Sequence, residues 1–159
     1  MRTIEQTIYT FEELPTDAAK EKARDWFRNA GDCAWMDESR QSIEAFCNHF
    51  GVTLRDWSVG AYSPIDYRTD ASNEHFRGCK LRDVKRDYMP TGYCVDCSLW
   101  ETFHDEFKRT GDAKGAFDSA MYAGFKAWRA DLEWQMSDEY IDECLSINAY
   151  EFDENGRIF

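Results

Sequence analysis

The chain is poor in the patterns that mark most enzymes, secreted proteins and membrane proteins. Its three histidines, His49, His75 and His104, are scattered, and G-x-S-x-G, HExxH, P-loop and G-x-G-x-x-G motifs are all missing. Those absences argue against nucleophile-elbow hydrolysis, zincin proteolysis and phosphate-loop chemistry. Carboxylate pairs exist, but they are too numerous to single out a general acid and base, so no catalytic residue is expected. No run approaches the roughly 20 apolar residues of a membrane span, and Met1-Arg2-Thr3-Ile4-Glu5-Gln6 has no apolar core of signal-peptide length. A cytoplasmic protein with no membrane role is the expectation. Internal repeats, low-complexity tracts and Pro/Gly/Ser linkers are also missing, which points to one domain spanning residues 1–159.

The last absence is local. From Ala130 to Gly156 there is no Lys or Arg, while nine carboxylates fall in that stretch: Asp131, Glu133, Asp138, Glu139, Asp142, Glu143, Glu151, Asp153 and Glu154. The whole chain carries a formal charge of -12, and a surface of that sign repels phosphate backbones and anionic lipid. Direct DNA binding is therefore not expected, and basic protein surfaces are the natural partners. With six Trp, eight Tyr and eleven Phe the chain has the rings that a disordered acidic sequence lacks, so it is expected to fold throughout. Six cysteines, Cys33, Cys47, Cys79, Cys94, Cys97 and Cys144, are expected as free thiols, because an aromatic core of this size needs no staples.

Residues 3–11 are rich in β-branched and aromatic types and predict a strand. Thr16 is positioned to cap a helix with apolar residues Ala19, Ala23, Trp26, Phe27 and Ala30, stopped by Gly31. A second helix is predicted over 38–50, with Gly51 just beyond it. Residues 52–62 read as a strand whose alternation slips near Asp56-Trp57, which a bulge would explain. Residues 63–78 read as a loop, Leu81, Val84 and Tyr88 as a short helix, and Trp100 to about Gly111 as another helix. Residues 112–136 carry the longest helical period. Ser137 can cap a helix over 138–148, and Asn155-Gly156 predicts a type I′ hairpin. The rings at Trp57, Tyr62, Trp100, Trp128 and Trp134 are expected mainly in the core, with Trp134 also placed to anchor an interface. The sum is a helix-rich α+β fold with a small antiparallel sheet from the N-terminal strand, 52–62 and the C-terminal hairpin.

On the 138–148 helix, Asp138 and Asp142 are one turn apart, as are Glu139 and Glu143, so like charges face one another at a cost of about 0.2–0.5 kcal/mol per pair. One functional account makes these carboxylates phosphate surrogates. With Glu151, Asp153 and Glu154 they would form a surface that a Lys- and Arg-lined cleft accepts in place of DNA, while Trp134 and Tyr140 supply apolar contact. The bland account is a solvated face that maintains solubility. Two further constellations compete. Cys94-Val95-Asp96-Cys97 with Cys79 and His104 is a weak zinc pattern, implying a zinc-stapled regulatory module. Arg77, Lys80, Arg82, Lys85 and Arg86 form a basic cluster that could grip a nucleotide signal, with Tyr88 or Tyr93 stacking, although pairing with the chain's own acids such as Asp83 and Asp87 is the simpler outcome.

Thr7-Ile8-Tyr9-Thr10-Phe11-Glu12-Glu13-Leu14, followed by Ala19-Lys20-Glu21-Lys22-Ala23-Arg24 and Trp26-Phe27-Arg28, resembles the opening of small accessory proteins of tailed bacteriophages and prophages. Ser137-Asp138-Glu139-Tyr140-Ile141 through Asn148-Ala149-Tyr150-Glu151-Phe152-Asp153-Glu154-Asn155-Gly156-Arg157-Ile158-Phe159 is similar to their closing segment. The resemblance implies a phage-borne gene and raises the mimic account, because small acidic phage proteins include anti-CRISPR and anti-restriction inhibitors. The expected partner is then a host defence protein with a basic nucleic-acid-binding surface, and no cofactor is implied.

Overall fold

Helices dominate the computed structural model, which describes residues 6–30 and 36–159. Among those residues are α1 (Asp17–Ala30), α2 (Met36–His49), β1 (Leu54–Ser58), β2 (Asp66–Thr69), α3 (Cys94–Thr110), α4 (Ala113–Gln135) and α5 (Asp138–Ile147). The two strands pair antiparallel, so the class is α+β with a small sheet. The elements sort into two compact units, residues 6–30 with 134–159 and residues 36–133.

In the first unit both helices start at hydroxyl caps. Thr16 Oγ1 accepts the Ala19 N–H at 3.1 Å and Ser137 Oγ accepts the Tyr140 N–H at 3.3 Å, each satisfying a donor that a helix start leaves unpaired. Helix α1 packs on α5, and Phe11, Leu14, Ala19, Ala23, Ile141, Leu145 and Phe152 close a core between them. Phe152 is also the hub of the backbone pairing. It exchanges both N–H to carbonyl bonds with Tyr9, at 2.9 and 2.8 Å, and bridges to Ile158 on its other side.

Of the strand expected over 3–11, the described residues 6–11 hold one bridge, at Tyr9; residues 3–5 and Gly31 lie outside the described residues. The Thr10 N–H and hydroxyl both donate to Glu13 Oε2, at 2.9 and 3.0 Å, and turn the chain before a second pair forms. The terminal hairpin is present but is not type I′, which needs positive φ at both central residues. Gly156 has φ +75°, whereas Ala149 is the non-glycine residue with positive φ among those described. The loop instead closes on Asp153, whose Oδ1 accepts the N–H groups of Asn155 and Arg157, both at 2.9 Å.

In the second unit α2 ends as expected at Gly51, with φ +69°. Strand β1 carries the foreseen irregularity, a register shift between Leu54 and Asp56. Its partner is β2, inside the stretch expected to be a loop, rather than either end of the chain. Ile65, Tyr67 and Thr69 alternate as half-buried residues with exposed Asp66 and Arg68, a period-two signal overshadowed by the turn-forming residues around it. Helix α3 starts six residues before Trp100. The Asp96 carboxylate is fully buried, and its Oδ2 accepts the Thr91 N–H, the Thr91 hydroxyl and the Gly92 N–H at 2.9 to 3.0 Å, which locks the turn that launches the helix. The helix expected near 81–88 is only a 3-10 turn at Leu81–Asp83; the chain then runs on to set Tyr88 against the Trp100 ring at 4.9 Å.

Phe46 packs edge-on to Trp100 and stacks on Phe117, with centroids 4.9 and 5.3 Å away. A Cβ on Gly124 would run into the side chains of Leu99 and Ile43, so glycine lets α4 approach both α2 and α3. Trp100 and Trp128 are buried as expected, whereas Trp57, Tyr62 and Trp134 are not. Trp57 forms an outer layer over Trp128, with centroids 4.9 Å apart.

The Gly156 position combines a left-handed backbone with a site where a Cβ would enter the backbone carbonyl of Ala19. Gly156→Ala is expected to cost about 2–4 kcal/mol in urea denaturation. Gly51 has the same handedness and open space around it, so Gly51→Ala should cost only about 1 kcal/mol.

Candidate functional site

The 100° step of α5 divides its carboxylates. Asp138 and Asp142 flank buried Ile141 and Leu145 on the side facing α1, while Glu139 and Glu143 point the opposite way. Helix α1 meets the inner pair with two arginines. Arg24 grips Asp142 in a fork, Nε to Oδ1 at 2.7 Å and Nη2 to Oδ2 at 2.8 Å, and its guanidinium lies 5.7 Å from the centre of the Phe11 ring. Arg28 donates to Asp138, and also to Glu21 and Asp25 at 2.9 Å each. The Asp142 fork holds the Arg24 guanidinium well above its ordinary pKa, and Arg28 with Arg24 draws Glu21 below its own.

This arrangement corrects the expectation that Asp138 and Asp142 act as free phosphate surrogates. Both are internal struts, and the reason is positional: a helix that buries Ile141 and Leu145 must turn positions 138 and 142 toward its neighbour. Asp153 is likewise engaged in its turn. The Arg157 and Asn155 N–H groups hold its carboxyl below the usual range, with Arg157 the larger influence. Asp131 and Glu133 belong to the other unit. There the Tyr93 hydroxyl donates to Asp131 at 2.8 Å, and Glu133 lies 3.9 Å from the Arg129 guanidinium.

Four of the nine carboxylates are left. Glu139, Glu143, Glu151 and Glu154 are exposed, and among the described residues none of them has an ion pair or hydrogen bond through its side chain. Ile147, 72% exposed, continues the line of Glu139 and Glu143 by one more turn. Trp134 is 45% exposed and sits 6.1 Å from the half-buried Tyr140 ring. Ile147 was not singled out from the sequence, although the spacing 139, 143, 147 is a signal that could have found it.

The competing sites do not assemble. His104 stands ten residues after Cys94 on the same helix, an axial rise of about 15 Å, far beyond the reach of a shared zinc ion. Among the described residues no three His, Cys, Asp or Glu side chains gather to hold a metal. In the basic cluster Arg77 pairs with Glu74, Arg82 lies 3.9 Å from Asp83, and Arg86 binds Asp105 at 3.0 and 3.1 Å. The neighbouring cleft, lined by His49, Lys85, Tyr88 and Trp100 among others, holds about 170 Å³, against the roughly 300 Å³ at which ligand pockets begin. No helix among the described residues is long and apolar enough to cross a membrane.

Two outcomes test this division of the acidic residues. Asp142→Lys should lower stability by about 1.5–3 kcal/mol in chemical denaturation, whereas Glu139→Lys with Glu143→Lys should change it by no more than about 0.5 kcal/mol, since it breaks no ion pair among the described residues and exchanges one like-charge pair for another. Asp153, with a folded pKa below its unfolded one, supports its turn above the ordinary carboxylate range and loses that support as pH falls through the folded value. The backbone amides of Asn155 and Arg157 should therefore titrate by NMR with a midpoint below that of an exposed aspartate, and Asp153→Asn should abolish the transition. No protein-family model matches the chain, and no curated protein or solved structure matches it either.

Proposed function

We propose that this protein is a stoichiometric inhibitor, carried by a phage or prophage, that docks its acidic unit onto the nucleic-acid-binding surface of a host defence protein of CRISPR-Cas or restriction type. The observation that supports this reading best is the set of four exposed glutamates, Glu139, Glu143, Glu151 and Glu154, with no counter-ion among the described residues. A carboxylate already held by an arginine must give up one partner to gain another; these four do not. Glu139 and Glu143 are set about 6 Å apart along the helix axis, a pitch that a row of Lys and Arg side chains arranged for phosphates can follow. Exposed Ile147 and Trp134 add apolar surface beside the charges, the combination from which interface anchors are built. The excess negative charge steers encounter with a cationic groove. Binding rather than catalysis is the activity this reading assigns, and the partner's own cleft supplies the specificity.

The test is capture of the defence complex from a bacterial lysate by immobilised protein, followed by elution with duplex DNA or with salt. Wild type should retain a nucleic-acid-binding complex at low salt and release it to either eluent. Glu139→Lys with Glu143→Lys should retain at least about tenfold less. A control of equal charge change away from α5, Glu12→Lys with Asp87→Lys, should retain it in full. Equal capture by the α5 variant, or a complex that duplex DNA cannot displace, would remove the reading.

A further inference from the structure

Outside the acidic unit, two sulfur atoms touch and a third stands one helical turn from them, and neither the fold nor the docking surface uses the three. Cys94 and Cys97 open α3, and Met89 lies in the segment that leads to it. Both cysteines are exposed free thiols and Met89 is 40% exposed. The Cys97 thiol points at the Met89 thioether, with the two sulfurs 3.3 Å apart. Residues three apart on a helix share a face with Cα atoms about 5 Å apart, so Cys94 stands beside Cys97 on the same exposed edge. Burial and the nearby Asp131 carboxylate push the Cys94 thiol above its ordinary value; the N–H groups of Cys94 and Val95 offset part of that rise, and the Cys97 sulfur is close enough to add to it.

We propose that Cys94, Cys97 and Met89 form a binding site for a soft monovalent metal ion, Cu(I). The donor set selects the metal. Two thiolates and a thioether are soft ligands, and a monovalent d¹⁰ ion is satisfied by this few, whereas Zn²⁺ in a structural site demands four donors in a tetrahedron. A fourth is not supplied: among the described residues no third His, Cys, Asp or Glu joins the pair. On binding, each thiol releases its proton to solvent and forms a sulfur–copper bond; the thioether adds a neutral third bond, and no atom changes oxidation state. The two thiolates and one Cu⁺ carry a net charge of -1, which the first-turn N–H groups of α3 stabilise. Metal–sulfur bonds near 2.3 Å place three sulfurs about 4 Å apart, so the Met89 sulfur must retreat slightly, a motion its unbranched side chain permits.

The experiment titrates the fully reduced full-length protein with Cu(I) under anaerobic conditions, in competition with a colorimetric Cu(I) chelator. One equivalent per chain should be withheld from the chelator, accompanied by a thiolate-to-copper charge-transfer band in the ultraviolet. Cys94→Ser with Cys97→Ser should abolish both signals while the far-ultraviolet circular dichroism stays that of wild type. Met89→Leu should weaken binding about tenfold or more, and Cys144→Ser should change nothing. Full retention by the double serine variant would assign the copper to other thiols and overturn the proposal. Unchanged affinity in Met89→Leu would overturn the three-sulfur site, and displacement of the copper by equimolar Zn²⁺ would overturn the assignment of the metal.

Discussion

A short helix that carries four carboxylates within its first six residues holds only if part of that charge is cancelled from outside. In α5 the helix dipole meets Asp138 and Glu139 at the first turn, but the decisive contribution is the pair of guanidinium groups from α1. Arg24 and Arg28 are themselves ordered by Glu21 and Asp25, so a chain of alternating charges runs along the α1–α5 contact. The same packing that buries Ile141 and Leu145 brings these arginines to Asp138 and Asp142 and leaves Glu139 and Glu143 facing water. Half of the helix's acid is structural and half is available. The function proposed for the protein depends on that division.

The second unit is organised by rings and by one buried carboxylate. Phe46, Trp100, Phe103 and Phe117 interlock at centroid distances of 4.9 to 6.5 Å, and Gly124 removes the side chain that would hold α4 away. Asp96 fastens the turn before α3 through one oxygen, while its Oδ1 has no hydrogen-bond partner among the described residues. That turn determines where α3 begins and so which residues stand at its exposed edge. Cys94 and Cys97 are presented to solvent because the Thr91-Gly92 turn is tied to Asp96, a polar interaction whose benefit appears only once the carboxylate is enclosed.

The long elements were legible because their signals are local. Thr16 and Ser137 as caps, Gly51 and Gly111 as stops, and the period of 112–136 all act within a few residues, and each appears where the pattern indicates. The β1 bulge was legible as a break in alternation. The partner of β1 was not, because strand pairing is a contact between distant residues and Ile65-Tyr67-Thr69 is too short to outweigh the turn residues around it. The start of α3 was hidden for a related reason: Pro90-Thr91-Gly92 reads as a break, and the hydrogen bonds that convert it into a helix start come from a side chain beyond it.

The candidate site divides along the same line. Its location in the chain, its sign and the i, i+4 spacing of its carboxylates follow from residue identity and helical period, so the sequence by itself determined that the last third would be an acidic helix and ribbon. Which acids remain free was decided only by tertiary structure. The pairs 138/142 and 139/143 have the same residue spacing, and nothing local distinguishes the one that meets arginines more than a hundred residues away. Burial of Ile141 and Leu145 against α1 breaks that symmetry, since an apolar stripe that turns inward carries its flanking charges to the neighbouring helix and turns the opposite pair to solvent.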